Sequence, residues 1–305
     1  MSPIVLGYIG FTLNPGFPKT DIITRFFKDG DRVCTEFSEI NVLVMGDFIT
    51  IEEMNVINSY RGIKILYVAE PIINLYVCEF AKTIFETRKC TAALGCVSNR
   101  ADGTNWVKYP LYRYSTNITP TLFEETNAYV RNANIRDKQF CTLINRHDWG
   151  NTRTPIYELM KQMGEIVCPG KLHNNCSNEE LNAIGNVEYI KKFLFNICSE
   201  NFGADHPGYV TEKIMNACLG GAIPIYYGEL DAIDEKIFNR ERIIFINEET
   251  EGAMKKVESL CMNEDELIKH YRQPVFCEGA YEEIMAMDAN AMGFFDTLRE
   301  YLRRT

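Results

Sequence analysis

The chain has 305 residues, 46% of them apolar, and a formal net charge of −10. Domains run to roughly 100–200 residues, so two are expected, each able to bury a core. The acidic balance argues against a nucleic-acid groove or an anionic membrane surface as the main partner, but leaves room for a local cationic site.

Residues 4–9 are predicted as a first strand, followed by a helix at 20–28, a strand at 40–45, a helix at 51–59 and a strand at 63–68. Such βαβ alternation implies a largely parallel sheet covered by helices. Residues 117–137 are polar, mixed in charge and without a clear apolar period, so they mark the expected boundary between an N-terminal domain at 1–125 and a C-terminal one at 137–280. The second alternation predicts a strand at 139–144, a helix at 154–163, and strands near Ile166 and at 193–198. A helix around Lys213 and strands at 223–227 and 242–246 complete it. Gly220-Gly221 is expected to end the helix that holds Lys213. Residues 281–305 form a tail with helical spacing that would pack on either domain.

No apolar run reaches the ~18 residues of a spanning helix. The opening MSPIVLGYIGF lacks a basic segment and reads as a core strand rather than a signal. A soluble, cytoplasmic chain is therefore expected. The eleven cysteines include no C-x-x-C pair, and Cys78, Cys141, Cys168, Cys198 and Cys218 lie in apolar runs. They read as buried thiols of a reducing compartment rather than a disulfide framework.

The most informative stretch is 195–228, read as strand, polar loop, short helix and strand. Thr211, Glu212 and Lys213 open that helix. Free N–H groups and the helix dipole favour an anion at such a start, and Lys213 adds a full positive charge. Taken alone, an acid–base pair in a first helical turn is most often a solvated charge pair. Arg153 also stands after a strand and before a helix, and a guanidinium grips two phosphate oxygens at once. Arg146 is a neighbouring alternative.

The blocks Ser199-Glu200-Asn201-Phe202, Tyr209-Val210-Thr211-Glu212-Lys213 and Gly221-Ala222-Ile223-Pro224-Ile225 resemble, at this spacing, the signature of the α1,3-fucosyltransferases. Ala93-Leu94-Gly95 and Tyr109-Pro110-Leu111-Tyr112 extend the resemblance loosely toward the N-terminus. It implies the glycosyltransferase B fold: α/β, with two Rossmann-like domains facing across a cleft. It also implies an inverting enzyme that moves L-fucose from GDP-fucose to a hydroxyl of a glycan acceptor. By the same resemblance Arg153 and Lys213 hold the diphosphate, Glu212 contacts the nucleotide, and Asn201 and Tyr209 line the pocket. Glu70, after the strand at 63–68 and before Pro71, matches the family's general base. Inversion needs such a carboxylate to take the acceptor proton. The four histidines form no metal-type pair, so no metal or other cofactor is expected, the two cations taking that role.

Two positions depart from the family pattern. Ser199 replaces the usual aromatic, Phe202 replaces a small polar residue, and the loop to Tyr209 is about two residues longer than usual. Another donor, such as UDP-xylose or GDP-rhamnose, therefore stays open, as does a silent nucleotide-sugar-binding protein. His206 reads as a solvent-facing loop residue. Trp106, Tyr112 and Tyr114 read equally as core or as sugar-stacking rings.

Overall fold

The computed structural model describes residues 2–11, 21–70, 79–87, 90–96, 106–201, 208–247 and 249–304. The elements run β1 (Val5–Phe11), α1 (Asp21–Thr24), β2 (Arg32–Val33), β3 (Val42–Phe48), α2 (Ile51–Ser59), β4 (Ile63–Val68), α3 (Glu79–Glu86), β5 (Ala92–Gly95), β6 (Trp106–Lys108), α4 (Leu111–Ser115), α5 (Leu122–Asn132), β7 (Gln139–Leu143) and α6 (Arg153–Met160). They continue as β8 (Ile166–Val167), α7 (Glu179–Ile190), β9 (Phe193–Ile197), α8 (Glu212–Leu219), β10 (Ile223–Tyr226), β11 (Ile244–Phe245), α9 (Thr250–Met262), α10 (Glu264–Tyr271) and α11 (Ala280–Arg304).

Two compact units result, one of residues 1–114 with 285–305, the other of 115–284. The first holds a six-stranded sheet in the order β2-β1-β3-β4-β5-β6, with every pairing parallel. Strands such as VLVMGDF and IKILYV are apolar on both faces because a parallel sheet is covered on both. One face carries Ile4, Val42, Ile65 and Leu94; the other carries Leu43, Met45, Leu66 and Ala93. Helix α2 opens with a capping box between Thr50 and Glu53. The second unit holds a five-stranded parallel sheet in the order β11-β10-β9-β7-β8.

The structure corrects one expectation and sharpens two others. The predicted helix at 20–28 shrinks to α1 among the described residues. The polar stretch at 117–137, expected as the boundary, begins just after the chain divides between Tyr114 and Ser115, and it contains α5, which buries Phe123, Thr126 and Val130. Its stripe hides in the sequence because one of its three buried positions is a threonine, whose hydroxyl returns to the Leu122 carbonyl at 2.8 Å. Phe123 stacks on Phe276 at 4.1 Å, which ties α5 into the second unit. The tail is the long helix α11, and its Ala291, Phe295 and Leu298 join the core of the first unit. The buried ion pair of Arg299 with Asp31 locks it there.

Cys141, Cys168, Cys198 and Cys218 are buried and free, whereas Cys78 lies outside the described residues. Tyr112 is fully buried, which removes it as a sugar-stacking ring. Among the described residues, no helix is long and apolar enough to cross a membrane.

Candidate functional site

The second sheet changes direction at β7. The chain places β8 on one side of β7 and β9 on the other, so the loops leaving β7 and β9 diverge at their carboxyl ends. Open α/β sheets hold ligands at such a switch point. Each of the two loops leads into a helix, α6 and α8 respectively; residues 202–207 of the second loop lie outside the described residues.

Asp148 organises the first loop. Its Oδ1 accepts the N–H groups of Thr152 and Arg153, each at 2.9 Å, and its Oδ2 accepts that of Thr154 at 2.8 Å. Donors that a helix start leaves unsatisfied are thereby used. Burial by itself would raise the Asp148 carboxyl, but the bonds from Arg153, Thr154 and Thr152 outweigh it and hold its pKa below the usual range.

The two loops are fastened to each other. The Thr152 hydroxyl pairs with Ser199 Oγ at 2.9 Å and donates to the Glu200 carbonyl at 3.0 Å. At Gly150 a Cβ would stand 1.6 Å from the Asn201 carbonyl oxygen, so the contact tolerates no side chain. Arg153, the first residue of α6, is 2% exposed. Its guanidinium donates to the Ser199 carbonyl at 3.4 Å, to the His147 carbonyl at 2.5 Å and to Asn201 Oδ1.

In the second loop a fully buried Glu200 is the hub. Its Oε1 accepts the Thr211 N–H at 2.8 Å and the Tyr226 hydroxyl at 3.4 Å. Its Oε2 accepts the Thr211 hydroxyl at 2.7 Å and the Lys213 ammonium at 3.3 Å. Thr211 is the N-cap of α8, and its Oγ1 accepts from the Lys213 N–H at 3.4 Å and ammonium at 2.9 Å. Lys213 keeps 20% of its side-chain exposure and stands 3.8 Å from Glu212. Beside both loops, the His147 ring stacks on the exposed Trp149 with centroids 4.0 Å apart. Burial lowers the His147 pKa, and the charges of Arg153, Lys213 and Arg146 push it the same way. One imidazole therefore senses both helix-start cations.

Of the residues singled out from sequence, Arg153 and Asn201 are in direct contact, and Glu212 and Lys213 open α8. Tyr209 is buried just before that helix. Arg146 is exposed. Glu70 belongs to the first unit and follows β4; its N–H donates to Asp47 Oδ2 at 3.0 Å. His206 and Phe202 lie outside the described residues. Sequence reasoning passed over Glu200, Asp148 and Asp47 as individual residues. Glu200 stands inside the Ser199-Glu200-Asn201-Phe202 block, whereas Asp148 stands before the N-cap Thr152, outside the usual capping position. Only a carboxylate at the end of an apolar strand marked Asp47.

The D-x-D spacing by which another glycosyltransferase architecture holds a metal-bound diphosphate does occur once, at Asp29-Gly30-Asp31. Asp31 is occupied: it accepts the N–H groups of Ile4 and Lys28 and pairs with Arg299. Among the described residues no group of three His, Cys, Asp or Glu side chains could hold a metal ion.

The model of the family described as "Glycosyltransferase family 10 (fucosyltransferase) C-term" matches residues 133–274, which include both loops, α6 and α8. The match covers a little under half of the chain. An α-(1,3)-fucosyltransferase, FucT of Helicobacter pylori, is 32% identical over 76 residues, a stretch that spans 25% of this chain and 15% of that relative. A crystal structure of an α1,3-fucosyltransferase superposes with a TM-score of 0.68 at 14% identity, covering 96% of this chain and 90% of the other. A crystal structure of α1,3-fucosyltransferase with GDP-fucose gives 0.64 at 15% identity, covering 95% and 90%. These likenesses show the fold, the glycosyltransferase B type with two parallel α/β domains. The family 10 match falls within the second of them.

Proposed function

We propose that the chain is an inverting glycosyltransferase that moves L-fucose from GDP-fucose to a hydroxyl of a glycan acceptor, without a metal. The observation that carries this reading is the pair of helix starts at the switch point of the second sheet. Each start brings a cation and the positive end of a helix dipole to the same corner of the sheet, while Asp148, Glu200 and Thr211 accept from the first N–H groups. A nucleoside diphosphate is the ligand such a corner suits, and the solved relative that is described with GDP-fucose supports that donor.

The roles differ from residue to residue. Lys213, partly exposed, is the diphosphate contact, and it stabilises the charge that grows on the departing GDP. Arg153, enclosed by carbonyls and Asn201, adds positive potential and holds the β9 loop in place. Asn201, Tyr209 and Glu212 border the nucleotide. Glu70 takes the proton from the acceptor hydroxyl as the new bond forms at the sugar carbon. Ser199 does not argue for another donor, since its hydroxyl is engaged with Thr152 rather than turned outward.

Calorimetric titration of the purified protein with GDP and then UDP tests the reading. Binding of GDP with no binding of UDP is expected. Binding of UDP but not GDP overturns the fucose assignment, and binding of neither overturns the nucleotide site.

A further inference from the structure

At the carboxyl end of the first sheet, one buried carboxyl holds the residue that carries the proposed base. Asp47 lies in β3 and is 4% exposed. Its Oδ2 accepts two consecutive N–H groups, those of Ala69 at 2.9 Å and Glu70 at 3.0 Å. Both come from the chain just after β4, the neighbour of β3 in the sheet. The other oxygen, Oδ1, is buried with no hydrogen-bond partner among the described residues. A buried, half-satisfied carboxyl costs stability and calls for an explanation.

The backbone on either side leaves this arrangement little freedom. A Cβ on Gly46 would stand 2.5 Å from the Gly10 carbonyl oxygen, so β1 and β3 close tightly right beside Asp47. On the far side of β4, a Cβ on Gly95 would stand 2.2 Å from the Val68 carbonyl oxygen. The Cys96 N–H donates to that same oxygen at 2.7 Å. Up to Val68 the chain is held by the sheet, and beyond it by Asp47.

We propose that Asp47 is the positioning residue of the reaction: by clamping the N–H groups of Ala69 and Glu70 it fixes where the Glu70 carboxylate stands. This rests on Glu70 being the base. Burial raises the Asp47 pKa well above the usual range, and the neighbouring Glu70 charge adds to this. The amide of Asp47→Asn keeps an acceptor oxygen in the same place, so it holds the same two N–H groups.

The test is steady-state kinetics of Asp47→Ala, Asp47→Ser and Asp47→Asn with GDP-fucose and a glycan acceptor, alongside GDP calorimetry and Glu70→Gln as reference. The expected result is a fall of tenfold or more in kcat for Asp47→Ala. The KM for GDP-fucose and the GDP affinity should stay unchanged, and Asp47→Asn should restore turnover to within about threefold. If Asp47→Ala fails to fold, Asp47→Ser carries the same expectation, because its shorter side chain does not reach both N–H groups. Wild-type kcat in the Ala or Ser variant overturns the proposal, and so does an Asn variant as slow as Ala. Full activity in Glu70→Gln removes Glu70 as the base, whatever the Asp47 variants do.

Discussion

Two carboxylates, Asp148 in the loop after β7 and Asp47 near the end of β3, lie toward the carboxyl ends of parallel strands, and their surroundings treat them in opposite ways. Asp148 accepts three helix-start N–H groups, and its pKa is held low. Asp47 accepts two, is fully enclosed, has another carboxylate beside it, and its pKa is pushed up. The contrast extends to their neighbours. Near Asp148 the side chains that matter are cations, Arg153 and Lys213; burial lowers the His147 pKa and their charges add to the shift. Around Asp47 the neighbour that matters is Glu70. Under the proposed function, one strand end meets an anion and the other keeps carboxylates where a proton is to be taken up. The same fold supplies both corners, and the side chains at the strand ends set the chemistry.

The sharpest way to break this comparison is to neutralise the proposed base. Glu70→Gln would remove the proposed acceptor for the proton, and the substitution lies outside the second unit. A loss of about 10²–10⁴-fold in kcat is expected, the usual size of a general-base contribution, with GDP binding unchanged in calorimetry. A variant that turns over normally would make the first strand end a structural feature only.

Lys213→Ala is the reciprocal cut and should act on binding. Hydrogen bonds to charged groups contribute about 1.5–3 kcal/mol, which corresponds to a GDP affinity lower by roughly 10- to 100-fold. The loss should shrink as salt rises, because Lys213 is partly exposed. Part of the effect comes through Glu200, which loses one of its partners in a fully buried place. An unchanged GDP affinity would remove Lys213 from the diphosphate site.

Much of this arrangement is legible in the sequence. The strands at 63–68 and 223–226 and the helix at 51–59 stand out because their apolar runs are short and bounded by turn residues. The helix start at Lys213 is legible because a cap, an acid and a base follow a polar loop. What the chain conceals are contacts between segments distant in sequence. No local pattern ties Asp47 to the backbone at Ala69, or forces residue 150 to be glycine so that it can approach the Asn201 carbonyl. Helix α5 is hidden for a different reason: a threonine stands at one of its three buried positions. The tail's place is hidden as well, since the fit of Phe295 against Phe26 at 5.2 Å depends on the finished core.

The smallest effect, and the one that sharpens the comparison most, is a difference in sign. Asp148→Asn and Asp47→Asn are the same substitution, one in the loop after β7 and one near the end of β3. At Asp148 the folded state favours the charged form, so its contribution is present above the ordinary carboxylate pKa and is lost as pH falls through the lower folded value. An amide there places an NH2 against an N–H it cannot accept from, and a loss of about 1–3 kcal/mol at pH 7 is expected. At Asp47 the folded state binds the proton more tightly than the unfolded chain does. The wild-type residue is therefore progressively destabilising as pH rises above the unfolded value, until the folded group ionises. Asp47→Asn removes that penalty, so it should raise the melting temperature at pH 7, and the gain should fade as pH is lowered toward 4. Thermal melts of both variants at pH 7 and pH 4.5 decide the matter. A loss of stability in Asp47→Asn at pH 7 would mean that Asp47 is charged in the folded protein, and the opposition between the two strand ends would not hold.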